Sequence, residues 1–264
     1  MSFFTRFKDF ESRTKAIFYG MEFTNGIRRD IVGSLMLLYL LSLGHEVLAV
    51  TSMFAASRII MTLFEFPTGA FADQYSRKKS VLISFSLMAL AFLGIFIFRN
   101  FWLLALMYVL HDIAWTFQSG TTTAWVIDTL AYGEDRFKLS SLFARFFFYE
   151  KTGAILGGII GLIIVSMNFR FVWLAIALAN VLMLLILLRY MEEKNFKPKR
   201  LAKNFVMSTL LQAKDALSYL IHKKNKQIKG LASAVFFGTL SIDAFFVVSP
   251  LVQFQILGIA PAGV

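Results

Sequence analysis

The sequence contains no cysteine and only three histidines among its 264 residues. Without cysteine the chain has no disulfide, no thiol nucleophile and no thiolate-bound metal. No two histidines have the spacing of a metal-binding pair, and no glycine-rich phosphate loop occurs. We therefore predict a protein that has no metal, needs no cofactor and is not an enzyme.

Charged residues are also scarce. They make up 16% of the chain, whereas soluble domains contain about 25%. Hydrophobic residues make up 58%, and phenylalanine alone occurs 30 times. Several nearly uncharged stretches reach the length of about 18 residues that a helix needs to cross a hydrocarbon core about 30 Å thick. The composition predicts an all-α polytopic membrane protein.

The later membrane spans follow from the apolar runs alone. In chain order they are predicted at Val81–Phe98, Phe101–Trp125, Leu142–Met167, Phe171–Tyr190 and Gly230–Gln255. Two earlier spans must fit before Phe71, and the polar turn signal between them is Gly44–Glu46. A first span that began at Ile31 would be only about 20 Å long before that turn. We therefore expect the first span to begin near Ala16 or Ile17.

Basic residues concentrate between alternate spans. With the N-terminus inside, 20 of the 27 Lys and Arg residues lie in inner segments, and the outer loops hold only Arg99 and Arg170. This is the positive-inside pattern. It predicts a plasma-membrane protein with a cytoplasmic N-terminus and lipid as a partner. Because topology explains the net charge of +11, we predict no nucleic-acid partner.

The order of spans also indicates domains. The first span ends in LLYLLSLGHEVLAV, and the seventh ends similarly in LVQFQILGIAPAGV. Transporters are often built from repeated helical bundles. We predict a six-helix bundle over residues 1–191, a basic cytoplasmic linker over 192–228, and the first helix of an incomplete C-terminal bundle over 229–264. The chain is then expected to be the front of a longer protein. The linker is either solvated or forms an amphipathic helix on the membrane surface.

The stretch EFPTGAFADQYSRKKS (Glu65–Ser80) places a charged cluster between two apolar runs. In the order Gly-x-x-x-Asp-x-x-x-Arg-Lys it contains Gly69, Asp73, Arg77 and Lys78. This pattern resembles the signature of the major facilitator superfamily between its second and third helices, and the topology of the whole chain is similar to that family. Ser76 stands where the family usually has glycine. The resemblance implies a secondary transporter with a gating role for this motif.

The same cluster has a physical interpretation. Asp73 can pair with Arg77, and Arg77 can reach Asp128, which follows the fourth span. Such a cluster would hold the cytoplasmic side shut until the bundles move, with Gly69 allowing close helix packing. The alternative is a basic loop that only sets topology, which accounts for Arg77 and Lys78 but not for Asp73.

The fifth span carries small residues at a regular spacing. Gly153, Gly157 and Gly161 lie four residues apart on one helix face, where two backbones can approach closely. The pattern resembles a glycine-rich motif of antiporters in the same family, although Gly158 stands where that motif has proline. We favour helix packing and keep antiport as the alternative.

Charged groups within a membrane span are costly and are therefore candidates for function. The resemblance implies that the first, fourth and seventh spans line a central cavity. The candidates for a substrate or proton pathway are Glu22, Arg29, Asp30, His111, Asp112, Gln118 and Asp243. The alternative is internal salt bridging that only holds helices together, and this is the preferred interpretation of Arg28.

These observations together predict a secondary active transporter that moves a small solute by alternating access. A proton is one candidate for the coupling ion, and the mixed charges suit a charged or amphiphilic solute. Two alternatives remain: a membrane sensor or assembly partner that transports nothing, and an inactive half-transporter fragment.

Overall fold

The computed structural model describes residues 10–133 and 135–198, together with Gly230 and Ser233. Through this part of the chain run the helices α1 (Phe10–Ser42), α2 (Val47–Gln74), α3 (Arg77–Ile97), α4 (Phe101–Thr116), α5 (Thr121–Leu130), α6 (Arg136–Met167) and α7 (Arg170–Tyr190). The described residues contain no strand. The predicted all-α class is confirmed.

The turn between the first two helices lies where the polar signal placed it. α1 ends at Ser42 and α2 begins at Val47. Gly44 between them has φ +85°, a left-handed conformation that favours glycine. α1 begins at Phe10, so it starts well before Ile31, as the length argument requires.

The predicted fourth span is interrupted. α4 ends at Thr116 and α5 begins at Thr121, so a single helix over Phe101–Trp125 is wrong. Gly120 at the start of α5 has φ +69° and turns the backbone out of the helical path. Apolar side chains continue on both sides of the break, and hydropathy therefore did not reveal it.

Four helices, α2, α3, α6 and α7, are long and apolar enough to cross a membrane. α4 has 16 residues, fewer than the roughly 20 that a single span needs. α1 has 33 residues but carries four charged groups in its middle, from Glu22 to Asp30. Exposed apolar side chains cover α6 and α7, such as Ile155 and Leu182, as expected for helices that face lipid.

The described residues fall into two compact units. The first contains residues 10–31 and 55–198. The second contains Gly230, Ser233 and residues 32–54, of which the last form the end of α1, the Gly44 turn and the start of α2. Within this second unit Val50 and Leu37 are almost completely buried.

The first unit is built around α3, which packs against α4, α5 and α7, while α6 also contacts α7. Its apolar core includes Ile17, Phe18, Met21, Val81, Phe85, Trp125, Val126, Leu142, Met183 and Leu187. The rings of Phe92 and Trp173 stack in parallel with their centroids 6.3 Å apart. This core buries one side of α1 and so carries the charged middle of α1 into the helix bundle.

Most of the predicted linker and seventh span lies outside the described residues. Gly230 and Ser233 within that span are helical. The domain boundaries at 1–191, 192–228 and 229–264 stay predictions.

Candidate gating and transport sites

The connection between α2 and α3 is capped by Ser76. Its φ of 179° is extended backbone, which any residue adopts, and its Oγ accepts a hydrogen bond from the Lys79 N–H at 3.0 Å. The hydroxyl thus satisfies one of the free N–H groups at the start of α3. Serine at the position where the family has glycine therefore fits this turn.

Arg77 connects three helices. Its guanidinium forms an ion pair with Asp128 of α5 and donates to the Ala124 carbonyl at 2.6 Å. The Asp73 carboxylate at the end of α2 lies 3.7 Å from the same guanidinium. The structure thus brings together Asp73, Arg77 and Asp128, three residues that the sequence singled out.

A further acid, Glu193, completes this end of the bundle. Its carboxylate accepts hydrogen bonds from the Arg77 N–H at 2.7 Å, the Lys78 N–H at 3.3 Å and the Ser76 hydroxyl at 2.6 Å. A negative charge at this position is favoured because the N-terminus of α3 carries the positive end of the helix dipole. Sequence reasoning missed Glu193, although an acidic pair directly after the last span of the bundle was an available signal.

The neighbouring Glu192 contacts α1 and α5. Its carboxylate forms an ion pair with Arg13 of α1, and its carbonyl accepts from the Trp125 indole N–H at 2.8 Å. We call Ser76, Arg77, Asp128, Glu192 and Glu193 the charged clasp. Through these residues the segment after α7 holds the ends of α1, α3 and α5 together.

Two residues of the predicted gating motif, Gly69 and Lys78, add no side-chain contact to the clasp among the described residues. A Cβ built on Gly69 would meet no described atom within 4 Å, so the close packing predicted there is not found. Among the described contacts of Lys78, its hydrogen bond to the clasp uses the backbone N–H rather than the ammonium group.

A second polar cluster lies inside the bundle and centres on Arg28. The Arg28 residue is 5% exposed, and its Nη1 donates to His111 Nε2 at 2.7 Å. Because Nε2 accepts, the imidazole proton sits on Nδ1, which lies 3.1 Å from Asp112 Oδ1. Asp112 also accepts from the Ser57 hydroxyl at 2.6 Å. The Trp115 ring lies 4.7 Å from the guanidinium carbon. A buried guanidinium and a buried carboxylate thus lie on either side of one imidazole.

Arg29 points to a different helix. It forms an ion pair with Glu150 of α6, which is 4% exposed. The sequence grouped Arg29 and Asp30 with Asp112 and Asp243 in one pathway. Among the described residues Arg29 pairs with Glu150 instead of Asp112, and the pathway stays a prediction. Asp30 is partly buried and forms no hydrogen bond or ion pair with a described residue. The rotation of α1 about its axis decides which helix Arg29 contacts. The apolar periodicity of α1 is too weak to predict that rotation.

The backbones of α1 and α6 touch beside this ion pair. A Cβ added to Gly153 would collide with the Phe23 carbonyl, and one added to Gly157 would lie 2.8 Å from Ile27 Cα. Gly161 is also buried on α6. Glu150 shares the helix face of Gly153 and Gly157, at spacings of three and seven residues, and this was the sequence signal for its burial.

Glu22 is a buried carboxylate whose hydrogen-bond partners among the described residues are neutral. It is 4% exposed and accepts from the Asn25 amide at 3.4 Å and the Thr122 hydroxyl at 3.5 Å. Within residues 10–133 and 135–198, no Lys or Arg nitrogen lies within ion-pair distance of it. Gln118 is buried at the α4–α5 break, with its Oε1 3.3 Å from the Ser84 hydroxyl. Asp243 lies outside the described residues.

The sequence as a whole matches the profile of a transporter family. The profile of the Major Facilitator Superfamily matches residues 18–264 of the sequence. This chain belongs to the Major Facilitator Superfamily. As a superfamily member it is a multi-pass membrane protein of a transporter family, which confirms the predicted class and the prediction that it is not an enzyme.

The chain is also similar to one bacterial protein sequence and to one solved transporter structure. It is 31% identical over 124 residues to YxaM of Bacillus subtilis (strain 168), an uncharacterized MFS-type transporter, covering 46% of this chain and 30% of that protein. Its fold is similar to the crystal structure of a POT family transporter in complex with a thioalcohol-conjugated peptide. That match has a TM-score of 0.59 and 17% identity, covering 93% of this chain and 50% of the other. The chain therefore spans about half the length of that structure and less than a third of YxaM.

Proposed function

We propose that this superfamily member forms part of a secondary active transporter that moves a small solute by alternating access. The observation that carries the proposal is the set of buried ionisable side chains on α1 and α4. It comprises Arg28, His111, Asp112 and Glu22, which lie inside the bundle and are each no more than 5% exposed. Ionisable groups are expensive in a membrane interior, and their presence favours a pathway for solute or protons.

Glu22 is the proposed proton carrier. Its carboxylate accepts from neutral Asn25 and Thr122, and no described cation holds it in the charged form. Such a group can gain a proton without breaking an ion pair. The Arg28–His111–Asp112 chain provides a fixed charge and a titratable imidazole beside it, which suits a charged solute.

The charged clasp is the proposed gate. It joins helix ends through hydrogen bonds and ion pairs that can be exchanged for water. We propose that it lies on the cytoplasmic side of the plasma membrane, since basic residues collect at that end of the helices. Opening the clasp would let the bundle move to its other state.

The test is transport by the full chain in liposomes that carry a pH gradient and an internal pH dye. Labelled dicarboxylates, amino acids and quaternary amines serve as the solute panel. We expect one class to accumulate only with the gradient. Glu22→Gln should abolish proton movement and gradient-driven accumulation but retain solute exchange, whereas exposed Glu46→Gln should behave as wild type. Solute binding without flux would replace the proposal with the sensor alternative.

A further inference from the structure

A groove of about 240 Å³ opens on the first unit, and none of its lining residues belongs to the charged clasp or to the buried polar cluster around Arg28. The start of α1, the residues after α5 and the start of α6 form its walls. The lining includes Glu11, Lys15, Tyr132, Phe137, Lys138 and Arg145. Three cations thus face one carboxylate, so the groove carries excess positive charge.

The cations are arranged around one aromatic ring. Lys15 and Lys138 place their ammonium nitrogens 5.6 and 5.4 Å from the Tyr132 centroid. Glu11 accepts from Lys15 at 2.6 Å and from the Tyr132 hydroxyl at 2.5 Å, so it holds the first cation in place. Lys138 also lies 3.6 Å from Asp135, outside the lining. Arg145 has no ion pair among the described residues and is available to an anion.

The basic groove continues into an apolar surface on the same helix. By the period of 3.6 residues, Lys138 and Arg145 lie next to a stripe formed by Phe148, Ile155, Ile159 and Leu162. These four side chains are 65%, 65%, 53% and 64% exposed. A small soluble anion would fill the groove and leave this stripe bare, whereas a molecule with an anionic head and apolar chains would cover both.

The length of α6 favours a groove at headgroup level. Its 32 residues extend about 48 Å, whereas a hydrocarbon core is about 30 Å thick. The helix is thus about 18 Å longer than the core, and the cations near its start, Arg136, Lys138 and Arg145, favour placing this excess at headgroup level. Phe137 in the first turn is 89% exposed, as aromatic side chains at a membrane interface often are.

We propose that this groove binds the headgroup of an anionic phospholipid, with the acyl chains lying along the exposed face of α6. Lys15, Lys138 and Arg145 contact the phosphate region, and Tyr132 packs below it. The site is separate from the buried polar cluster, and its occupancy does not depend on whether the protein transports a solute.

Native mass spectrometry of the detergent-purified full chain tests the proposal. Phosphatidylglycerol should remain bound at concentrations where phosphatidylcholine does not. The double variant Lys138→Gln with Arg145→Gln should weaken this binding at least tenfold, because each removed charge is expected to weaken it about fivefold. Arg145→Lys should retain it. Arg189→Gln, an exposed cation at the end of α7 outside the groove, is the matched control.

Equal binding of the two lipids, or unchanged phosphatidylglycerol binding by the double variant, would overturn the site. Binding of soluble glycerol 3-phosphate is measured in parallel, to distinguish a lipid headgroup from a free phosphate compound. If glycerol 3-phosphate binds as tightly as the lipid, the groove takes a free phosphate compound and the lipid assignment is wrong. Variants are compared at equal helix content by circular dichroism, so that misfolding is not taken for lost binding.

Discussion

Arg29 of α1 forms an ion pair with Glu150 of α6 across the point where the two helix backbones touch. The Glu150 side chain is 5% exposed, whereas the Arg29 side chain is 46% exposed. The ion pair therefore stabilises the charged form of Glu150 more than that of Arg29, because the guanidinium of Arg29 remains in contact with water.

Removing Arg29 should thus cost more stability than removing Glu150. We expect Arg29→Gln to destabilise the bundle by about 3 kcal/mol, because it leaves a buried carboxylate without a cation. Glu150→Gln should cost about 1–2 kcal/mol, since the exposed guanidinium can be hydrated. Thermal unfolding in detergent measures both. A double variant that is as unstable as the sum of the single ones would show that the two residues do not interact.

The contact at Gly153 predicts a steric effect. Gly153→Ala puts a methyl group against the Phe23 carbonyl, so α1 and α6 must separate. We expect a loss of about 1–3 kcal/mol in unfolding free energy, typical of overpacking. Gly158→Ala on the same helix is the control, because its added methyl meets no described atom within 4 Å and should be neutral or slightly stabilising. Equal effects of the two substitutions would contradict the close approach.

The charged clasp should govern access to the buried residue next to Asp128. The protein contains no cysteine, so Thr129→Cys gives a single thiol at a side chain that is 4% exposed in α5. In that background, Asp128→Asn or Glu193→Gln should raise the alkylation rate about tenfold, because each removes charged hydrogen bonds worth about 1.5–3 kcal/mol. Asp135→Asn, which caps α6 without touching the clasp, should leave the rate unchanged. An unaltered rate in both clasp variants would mean that the clasp does not restrict access.

Acidification should loosen the start of α1. Hydrogen bonds from Lys15 and then Tyr132 lower the pKa of Glu11 below the ordinary value of a glutamate carboxyl. A carboxyl whose pKa is lower in the folded chain stabilises the fold above its unfolded pKa, and this contribution disappears as pH falls through the folded pKa. The melting temperature of wild type should therefore fall more than that of Glu11→Gln as pH drops below about 4.5. The difference should be small, because the Glu11 side chain is 54% exposed. Glu46→Gln serves as the control, and parallel curves for wild type and Glu11→Gln would refute the linkage.

The sequence predicted those features that depend on neighbours along the chain. The Gly44–Glu46 turn followed from its polar residues, and α3, α6 and α7 begin one to six residues before the predicted spans. The proximity of Arg77 and Asp128 also followed, because the predicted topology puts the start of the third span and the end of the fourth on the same side of the membrane. The break between α4 and α5 did not, since the Gly120 conformation leaves the apolar composition around it unchanged.

Pairings inside the bundle were harder to predict than its outline. Arg28 and Arg29 are adjacent in sequence but contact α4 and α6 respectively. A rotation of α1 by one residue, about 100°, would exchange their partners. Hydropathy cannot fix that angle when four charged residues interrupt the apolar pattern. The sequence signal for Glu150, the partner of Arg29, was only its position on the same helix face as Gly153 and Gly157.

The carboxylate of Glu193 has a mechanical consequence. It holds the first turn of α3 by three hydrogen bonds, while Glu192 beside it is fastened to α1. Tension along the chain that follows α7 would therefore reach these short bonds before it bent any helix. A force applied to the chain beyond residue 198 would therefore act on the start of α3 and the start of α1 at the same time.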